Sequence, residues 1–332
     1  MRWLLALCSA LLWPAACATP PGASVQPPAA SDATSSALAA GPTPTRLETI
    51  KVGIPTRGLS ALPMYVMDQR GLATEEGLAV EIVQLRGGAS LPALLNGELD
   101  YNGGWGANSD GIAQGAPIKL LAFAVDRPMH WVVVRPEIAS LADLRGKRVA
   151  VGRVGGTDGV ILSAALASVG LQETDVEQIV GGDDPVRLKL LLAGQVDGTT
   201  LVPPGLVEAQ HQGMRLVVAG ADLVPMPTFV LAATERKLAE RPDQAVRLLR
   251  AFVRALRLIH AEGDGLAPVV ADALDYDVPT AAEALRLVLD AYSQDGTLPQ
   301  AELDQVLAQE HLDPSAVDLR FLGQAQQDVL RR

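Results

Sequence analysis

Four stretches hold the residues whose types and spacing suit the capture of a small polar molecule. The first is Thr56-Arg57-Gly58-Leu59-Ser60. Gly58 frees backbone N–H groups there, and Ser60 suits the cap of a following helix. Thr56, Arg57, Gly58 and Ser60 read either as a polar ligand wall or as a helix cap beside a solvent-facing arginine. The second is Gly103-Gly104-Trp105-Gly106-Ala107-Asn108-Ser109. Its glycines, Gly104 among them, permit close backbone approach. Trp105 either shields a ligand or anchors packing. The third, Gly152 to Gly159, leads into a helix with Gly156 and Thr157 at its start. Exposed N–H groups at a helix start favour anions. The glycine spacing is not that of a phosphate loop, and no lysine follows. Asp158 reads as the N-terminal cap of this helix, a charge that repels an anion bound there. The fourth is Thr199-Thr200-Leu201-Val202-Pro203-Pro204-Gly205, read as a loop with Thr200 and Val202 toward the ligand. Arg57, Arg127 and Arg153 are the charges within reach. This lining suits a small, partly apolar molecule, with room for one acid group.

Bond-making chemistry finds little support. His130, His211, His260 and His311 are far apart and share no metal-ligand spacing. Three of them sit in or beside predicted helices, and only His130, near Arg127, lies at a predicted inter-lobe crossing. No Gly-x-Ser-x-Gly elbow occurs. Asp183-Asp184 precedes a helix and reads as capping. Both cysteines, Cys8 and Cys17, fall near the N-terminus, so the body has no thiol nucleophile, disulfide or thiolate metal site. The reading is therefore a non-enzyme without metal or cofactor. A net charge of -11 over 332 residues argues against a nucleic-acid partner, which needs a basic face.

The elements that must carry these loops alternate in type. Strands are predicted at Thr49–Pro55, Leu78–Leu85, Leu99–Asn102 and Ile118–Ala124, with short helices at Leu62–Gly71, Leu91–Asn96 and Asp110–Gln114. The pattern then restarts. Strands at Trp131–Val134, Arg148–Val151, Gln178–Val180 and Leu216–Val218 alternate with helices at Val160–Val169 and Pro185–Ala193. Such alternation implies βαβ units and a mainly parallel sheet. After a strand at Phe229–Ala233 the chain turns helical, with apolar residues at three- and four-residue spacing. The amphipathic run Ala251–Ile259 reads as a face docked on the first unit rather than on a membrane. Two α/β units joined by crossings near 125–130 and 219–226 predict two lobes with a cleft between their strand ends.

The first residues read as an address label. Arg2 and the short apolar run Trp3–Trp13 form a secretory leader too brief to span a bilayer. Pro14-Ala15-Ala16-Cys17 resembles a bacterial lipobox with Pro14 in place of leucine, so Cys17 is the expected lipidation site. Cleavage after Ala18 is the alternative. Residues 18–46, rich in Ala, Pro, Ser, Thr and Gly, read as a disordered tether. Lobe 1 is expected to comprise 47–125 and 226–332, and lobe 2 to comprise 126–225.

Several motifs carry a resemblance. Val52-Gly53-Ile54 with Leu62-Pro63-Met64-Tyr65 is the first, and Arg70-Gly71-Leu72 with Glu75 to Glu81 the second. Gly87-Gly88, Asn96-Gly97-Glu98-Leu99-Asp100 and Gly115-Ala116-Pro117-Ile118-Lys119 follow. Leu141 to Val151 and Gly194-Gln195-Val196-Asp197 complete the set. Together they resemble substrate-binding proteins of ABC transporters in the sulfonate, taurine and thiamine-precursor group, the NMT1/THI5-like proteins. The resemblance implies a type-2 periplasmic binding fold: two lobes, each a mainly parallel sheet flanked by helices, with a helical C-terminal tail on lobe 1. It implies a monomeric exported protein in the periplasm or cell envelope that delivers a small molecule to an ABC permease. In sulfonate-binding relatives the helix start near 157 is the anion seat, and Asp158 argues against such a ligand here. Thiamine-pyrimidine synthases share these strand motifs, but the cysteine-rich iron motif that they carry is missing from this body. A permease-independent carrier or sensor is the other alternative.

Overall fold

The computed structural model describes residues 46–85, 88–152 and 156–331. The leader, Cys17, the tether, Gly87 and Arg153 lie outside the described residues.

The chain starts with β1 (Glu48–Ile54), whose Ile50, Val52 and Ile54 are almost wholly buried. Helices α1 (Leu62–Gln69) and α2 (Leu72–Glu75) lead to β2 (Leu78–Gln84). Helix α3 (Ser90–Asn96), β3 (Tyr101–Asn102), α4 (Gly106–Ala113) and β4 (Ile118–Val125) follow. The second series is β5 (Trp131–Val134), β6 (Arg148–Val151), α5 (Thr157–Ser168), β7 (Glu177–Val180) and α6 (Asp184–Leu192). It ends with β8 (Gly198–Leu201), α7 (Gly205–His211) and β9 (Arg215–Ala219). Strand β10 (Phe229–Thr234) returns to the first sheet. The remaining helices are α8 (Glu235–Glu240), α9 (Pro242–Glu262), α10 (Ala267–Leu274), α11 (Val278–Arg286), α12 (Gln300–Gln309) and α13 (Arg320–Arg331).

Two sheets of five strands result, in the orders β2-β1-β3-β10-β4 and β7-β6-β8-β5-β9. The same order occurs twice. In each sheet one strand runs antiparallel to its neighbours: β10 between β3 and β4, and β5 between β8 and β9. These are the strands that follow the two crossings. The crossings run side by side, with Gly220 N–H donating to His130 O at 2.7 Å and Thr228 N–H to Val125 O at 3.0 Å.

The segment 199–201 departs from its sequence reading. It is no loop but the inner strand β8, buried on both faces. Glycine and two threonines look polar in sequence, yet Thr199 returns its hydroxyl to Ala150 O at 2.9 Å, so burial leaves that group satisfied.

The first core joins β1, α1 and the C-terminal helices. Helix α9 buries Leu248, Leu249, Phe252, Leu256 and Ile259 and ranges arginines along its flank. Arg247 pairs with Glu48, Arg250 with Glu76 at 2.6 Å, and Arg254 with Glu75 at 2.6 Å. The outer strand β4 is capped by later chain: Ser293 donates to Ala124 O at 2.9 Å and Asp318 to Leu120 O at 2.9 Å. An open edge with free N–H and C=O groups is thus covered.

Candidate functional site

Strand β1 ends at Ile54, and the chain passes through Thr56 and Arg57, both exposed, to Gly58, which is buried. Gly58 is fully extended, and a Cβ placed on it would find no atom within 4 Å. Room therefore exists beside a buried backbone. The Tyr65 hydroxyl on α1 is buried, near the Gly58 backbone and the Arg57 guanidinium but with no hydrogen bond of good geometry to either. Burial raises its pKa, and the Gly58 backbone and the Arg57 guanidinium temper the rise. Arg57 donates to Ala273 O at 2.6 Å, which ties this loop to the end of α10. Ser60 falls inside a short 3-10 turn. The cap positions are Gly58 and Ala61, neither with a side-chain cap, so the capping role expected of Ser60 is not realised.

The Trp105 loop turns inward. Trp105 is 4% exposed and packs with Leu120, Phe123, Val230, Leu303 and Leu307, under α12. Its indole N–H reaches Glu310 Oε1 at 3.3 Å. The side chain is thus a packing anchor engaged by its own half of the molecule. The glycines beside it serve the same end. A Cβ on Gly103 would lie 2.5 Å from Phe229 Cζ, and Gly104, at φ 105°, stacks against Pro55. Asn102 and Asn108 hold the turn: Asn102 Nδ2 donates to Asn108 Oδ1 at 2.9 Å, and Asn108 Nδ2 to Gly104 O at 2.7 Å. Asn102 Oδ1 is buried without a partner.

The second sheet presents a denser set. Gly156, extended at φ −79°, is the N-cap of α5 and gives no side-chain cap. Thr157 opens the helix. Asp158 is one residue further in, and its carboxylate turns back to accept the Gly152 N–H and to face Arg187 at 4.0 Å. The expected cap is therefore a loop closure instead. Arg187 is 3% exposed. It pairs with Asp184, donates to Gly182 O, and reaches Thr200 O from Nε at 3.3 Å and from Nη2 at 3.2 Å. Asp184 Oδ2 accepts the Val202 N–H at 2.8 Å. Asp184, read from sequence as part of a capping pair, is thus an ion-pair partner that fixes the end of β8.

Thr200 is fully buried, with its hydroxyl unpartnered, and His130 Nδ1 is likewise sealed without a partner. Burial pulls the His130 pKa down from its ordinary value, opposed by Asp184 and Asp158 and aided by Arg187. The ladder places Val132 opposite Thr200 and Trp131 opposite Leu201. Alternation along paired strands then brings His130, Thr200 and Val202 to one face. That face carries Val132, which packs with Ile161 and Leu162 of α5.

Contacts link the two strand-end regions. Tyr276, three residues beyond the Ala273 carbonyl that Arg57 holds, brings its hydroxyl within 3.8 Å of a Cβ position on Gly205 of α7. Burial raises the Tyr276 pKa, reinforced by Glu208 and Asp184. His211 Nε2 meets Glu283 at 2.9 Å between α7 and α11. The loop after β1 and the loop after β8 therefore lie on facing sides. Arg127 does not join them. It is held by Asp126 at 2.6 Å and Asp290 at 3.9 Å. Asp126 and Asp290 line a separate groove of about 700 Å³ with His260 and the 292–299 turn.

Sequence reasoning singled out Arg57, Gly58, Thr200 and Val202. It did not mark Tyr65 or Asn102 as ligand contacts, nor Asp184, read as a cap, or Arg187. The only sequence signal for the last pair was their three-residue spacing on α6, which suits an ion pair.

Residues 60–264, well over half the chain, match the family described as NMT1/THI5 like. The chain belongs to the NMT1/THI5-like family. A Haemophilus influenzae protein named for thiamine biosynthesis is 33% identical over 141 residues, covering 40% of this chain and 43% of that protein. The match thus spans less than half the length of either protein. A Bordetella bronchiseptica RB50 structure superposes with a TM-score of 0.71 at 23% identity, covering 84% of this chain and 97% of the other. The alkanesulfonate-binding protein SsuA of Xanthomonas axonopodis pv. citri, bound to MOPS, gives 0.64 at 19% identity, covering 83% and 97%. The NMT1/THI5-like chain thus has the fold of periplasmic ABC-import solute-binding proteins. Its family motifs are structural: Gly97, at φ 80°, ends α3, and Gly146, at φ 71°, turns the chain into β6.

Proposed function

We propose that this NMT1/THI5-like protein is an exported solute-binding protein that captures a small molecule between its two sheets and hands it to an ABC permease. Residues 47–125 with 226–332 act as one lobe and 126–225 as the other. Segments 126–130 and 220–228 serve as the hinge. Cys17 carries the lipid that holds the monomer at the cell envelope. The contact residues are Gly58 and Tyr65 on one side and Gly156, Thr157, Thr200, Val202 and His130 on the other. Thr56 and Arg57 stand at the rim.

One observation carries the reading. The buried side-chain polar atoms left without a partner are, among the described residues, Tyr65 Oη, Asn102 Oδ1, His130 Nδ1 and Thr200 Oγ1. Unpartnered buried groups cost stability and call for an explanation. Three of the four fall in the facing strand-end regions, where ligands sit in open α/β sheets. The expected chemistry is capture and release, with no bond made or broken. Thermal-shift screening against a metabolite set tests it, because a ligand of the native state raises the apparent melting temperature. A saturable rise with at least one small molecule is expected, and no rise across the set sinks the reading.

A further inference from the structure

The charge around the start of α5 is opposite to what an oxyanion needs. Two carboxylates, Asp158 and Asp184, share one guanidinium, Arg187. Arg187 gives its N–H groups to Thr200 O, Gly182 O and Asp184, so its donors are used within the protein. The group also fills its own space: a Cβ on Gly152 would lie 2.8 Å from Arg187 Nη1 and 2.9 Å from Asp158 Oδ2. Among the described residues of this cluster one negative charge is left over, close to the start of α5. The helix dipole that attracts anions is thus already answered by a side chain of the protein.

Beside this cluster are two buried atoms with no partner, Thr200 Oγ1 and His130 Nδ1, on the face of the sheet that carries α5. A hydroxyl both donates and accepts, and a neutral imidazole nitrogen does one or the other according to its tautomer. Both are suited to the N–H or O–H groups of an uncharged molecule. Neither brings a positive charge to pair with a sulfonate or nitrate.

We propose that the cleft selects an uncharged ligand whose N–H or O–H groups are held at Thr200 and His130, and that the Asp158–Arg187–Asp184 cluster excludes oxyanions from the start of α5. The proposal rests on the solute-binding reading and supplies its ligand class. It separates this chain from the sulfonate-binding protein with which it shares a fold.

The test titrates the full chain with taurine, methanesulfonate and nitrate, by thermal shift and calorimetry, in wild type and in Asp158→Asn. The expected result is no saturable response in wild type. In Asp158→Asn, affinity for at least one anion is expected to improve by about tenfold or more. A saturable wild-type response to any of the three, or an Asp158→Asn protein that melts cooperatively yet ignores all three, overturns the proposal. A second arm does not depend on that variant folding. Every hit from the metabolite screen is retitrated on Thr200→Val, which removes the hydroxyl and keeps the shape. Uncharged hits should weaken about tenfold while the melting temperature of the free protein holds or rises, since an unpartnered buried hydroxyl has been removed. An anionic hit, or an uncharged hit unaffected by Thr200→Val, overturns the assignment. A screen without hits sinks the solute-binding reading, while the anion titration still decides the exclusion.

Discussion

Trp105 shows how one residue type supports two roles. A tryptophan among glycines suits a ligand platform, and it equally suits a wedge in a small core. Neighbours decide, and Leu303, Leu307 and Glu310 come from more than 190 residues away. Trp105→Ala should therefore cost about 3–5 kcal/mol of stability, as large core truncations do. Ligand affinity should stay unchanged at temperatures where the variant is folded. Denaturant melts and calorimetric titration read the two quantities separately, and a loss of affinity with intact stability would return Trp105 to the cleft. Asp158 illustrates a finer distinction. Sequence alone marks an acid in the first turn of a helix, which is sound for the dipole. It does not show whether the carboxylate caps that helix or closes the preceding loop on Gly152.

At the scale of elements, burial overruled local appearance. Strand β8 reads as Gly-Thr-Thr-Leu, a sequence with turn character, and becomes central because β6 and β5 pair with it on either side. Helix α9 is the opposite case. Its apolar stripe and charged flank are both visible in its spacing, and the structure uses them as written. The flank carries a pH dependence. Burial acts to raise the Glu48 pKa from its ordinary 4.5, but hydrogen bonds from Arg247 and Gln244 and the charges of Arg241 and Arg247 outweigh it, so the pKa is lowered. A carboxylate with a lowered folded pKa contributes stability that is fully present above its unfolded value. That contribution is lost as pH falls through the folded value. Glu48→Gln should therefore lower the melting temperature near neutral pH, and the gap to wild type should narrow as pH drops below 4.5. A gap that stays constant through the acid range would show that the pairs on α9 contribute nothing through charge.

For the whole molecule the prediction is motion. Two sheets joined by two adjacent crossings should close on a ligand. Small-angle scattering with a screened ligand is expected to show a smaller radius of gyration, and an identical profile at saturation would mean that the halves are already closed or rigid. The attachment is tested by cell fractionation. Wild type should partition with membranes and Cys17→Ser should not. A soluble wild-type protein whose mature N-terminus is Thr19 would show that the leader is removed by ordinary cleavage after Ala18.

Much of the architecture is legible in the sequence itself. The alternation of apolar strands with short helices, its restart after Val125, and the helical end of the chain follow from local periodicity, which needs no distant partner. The loops after β1 and β6 are legible for the same reason, since chain reversals carry their own residue preferences, whereas 199–201 reads as a loop and is a strand. The cluster around Arg187 is not legible. His130, Asp158, Arg187 and Thr200 belong to four separate segments, and only the order β6-β8-β5 with α5 and α6 on opposite faces brings them together. Which loops face a ligand and which fold back into a core is a matter of long-range packing. A buried carboxylate and guanidinium find each other through space, and their separation along the chain records nothing of it.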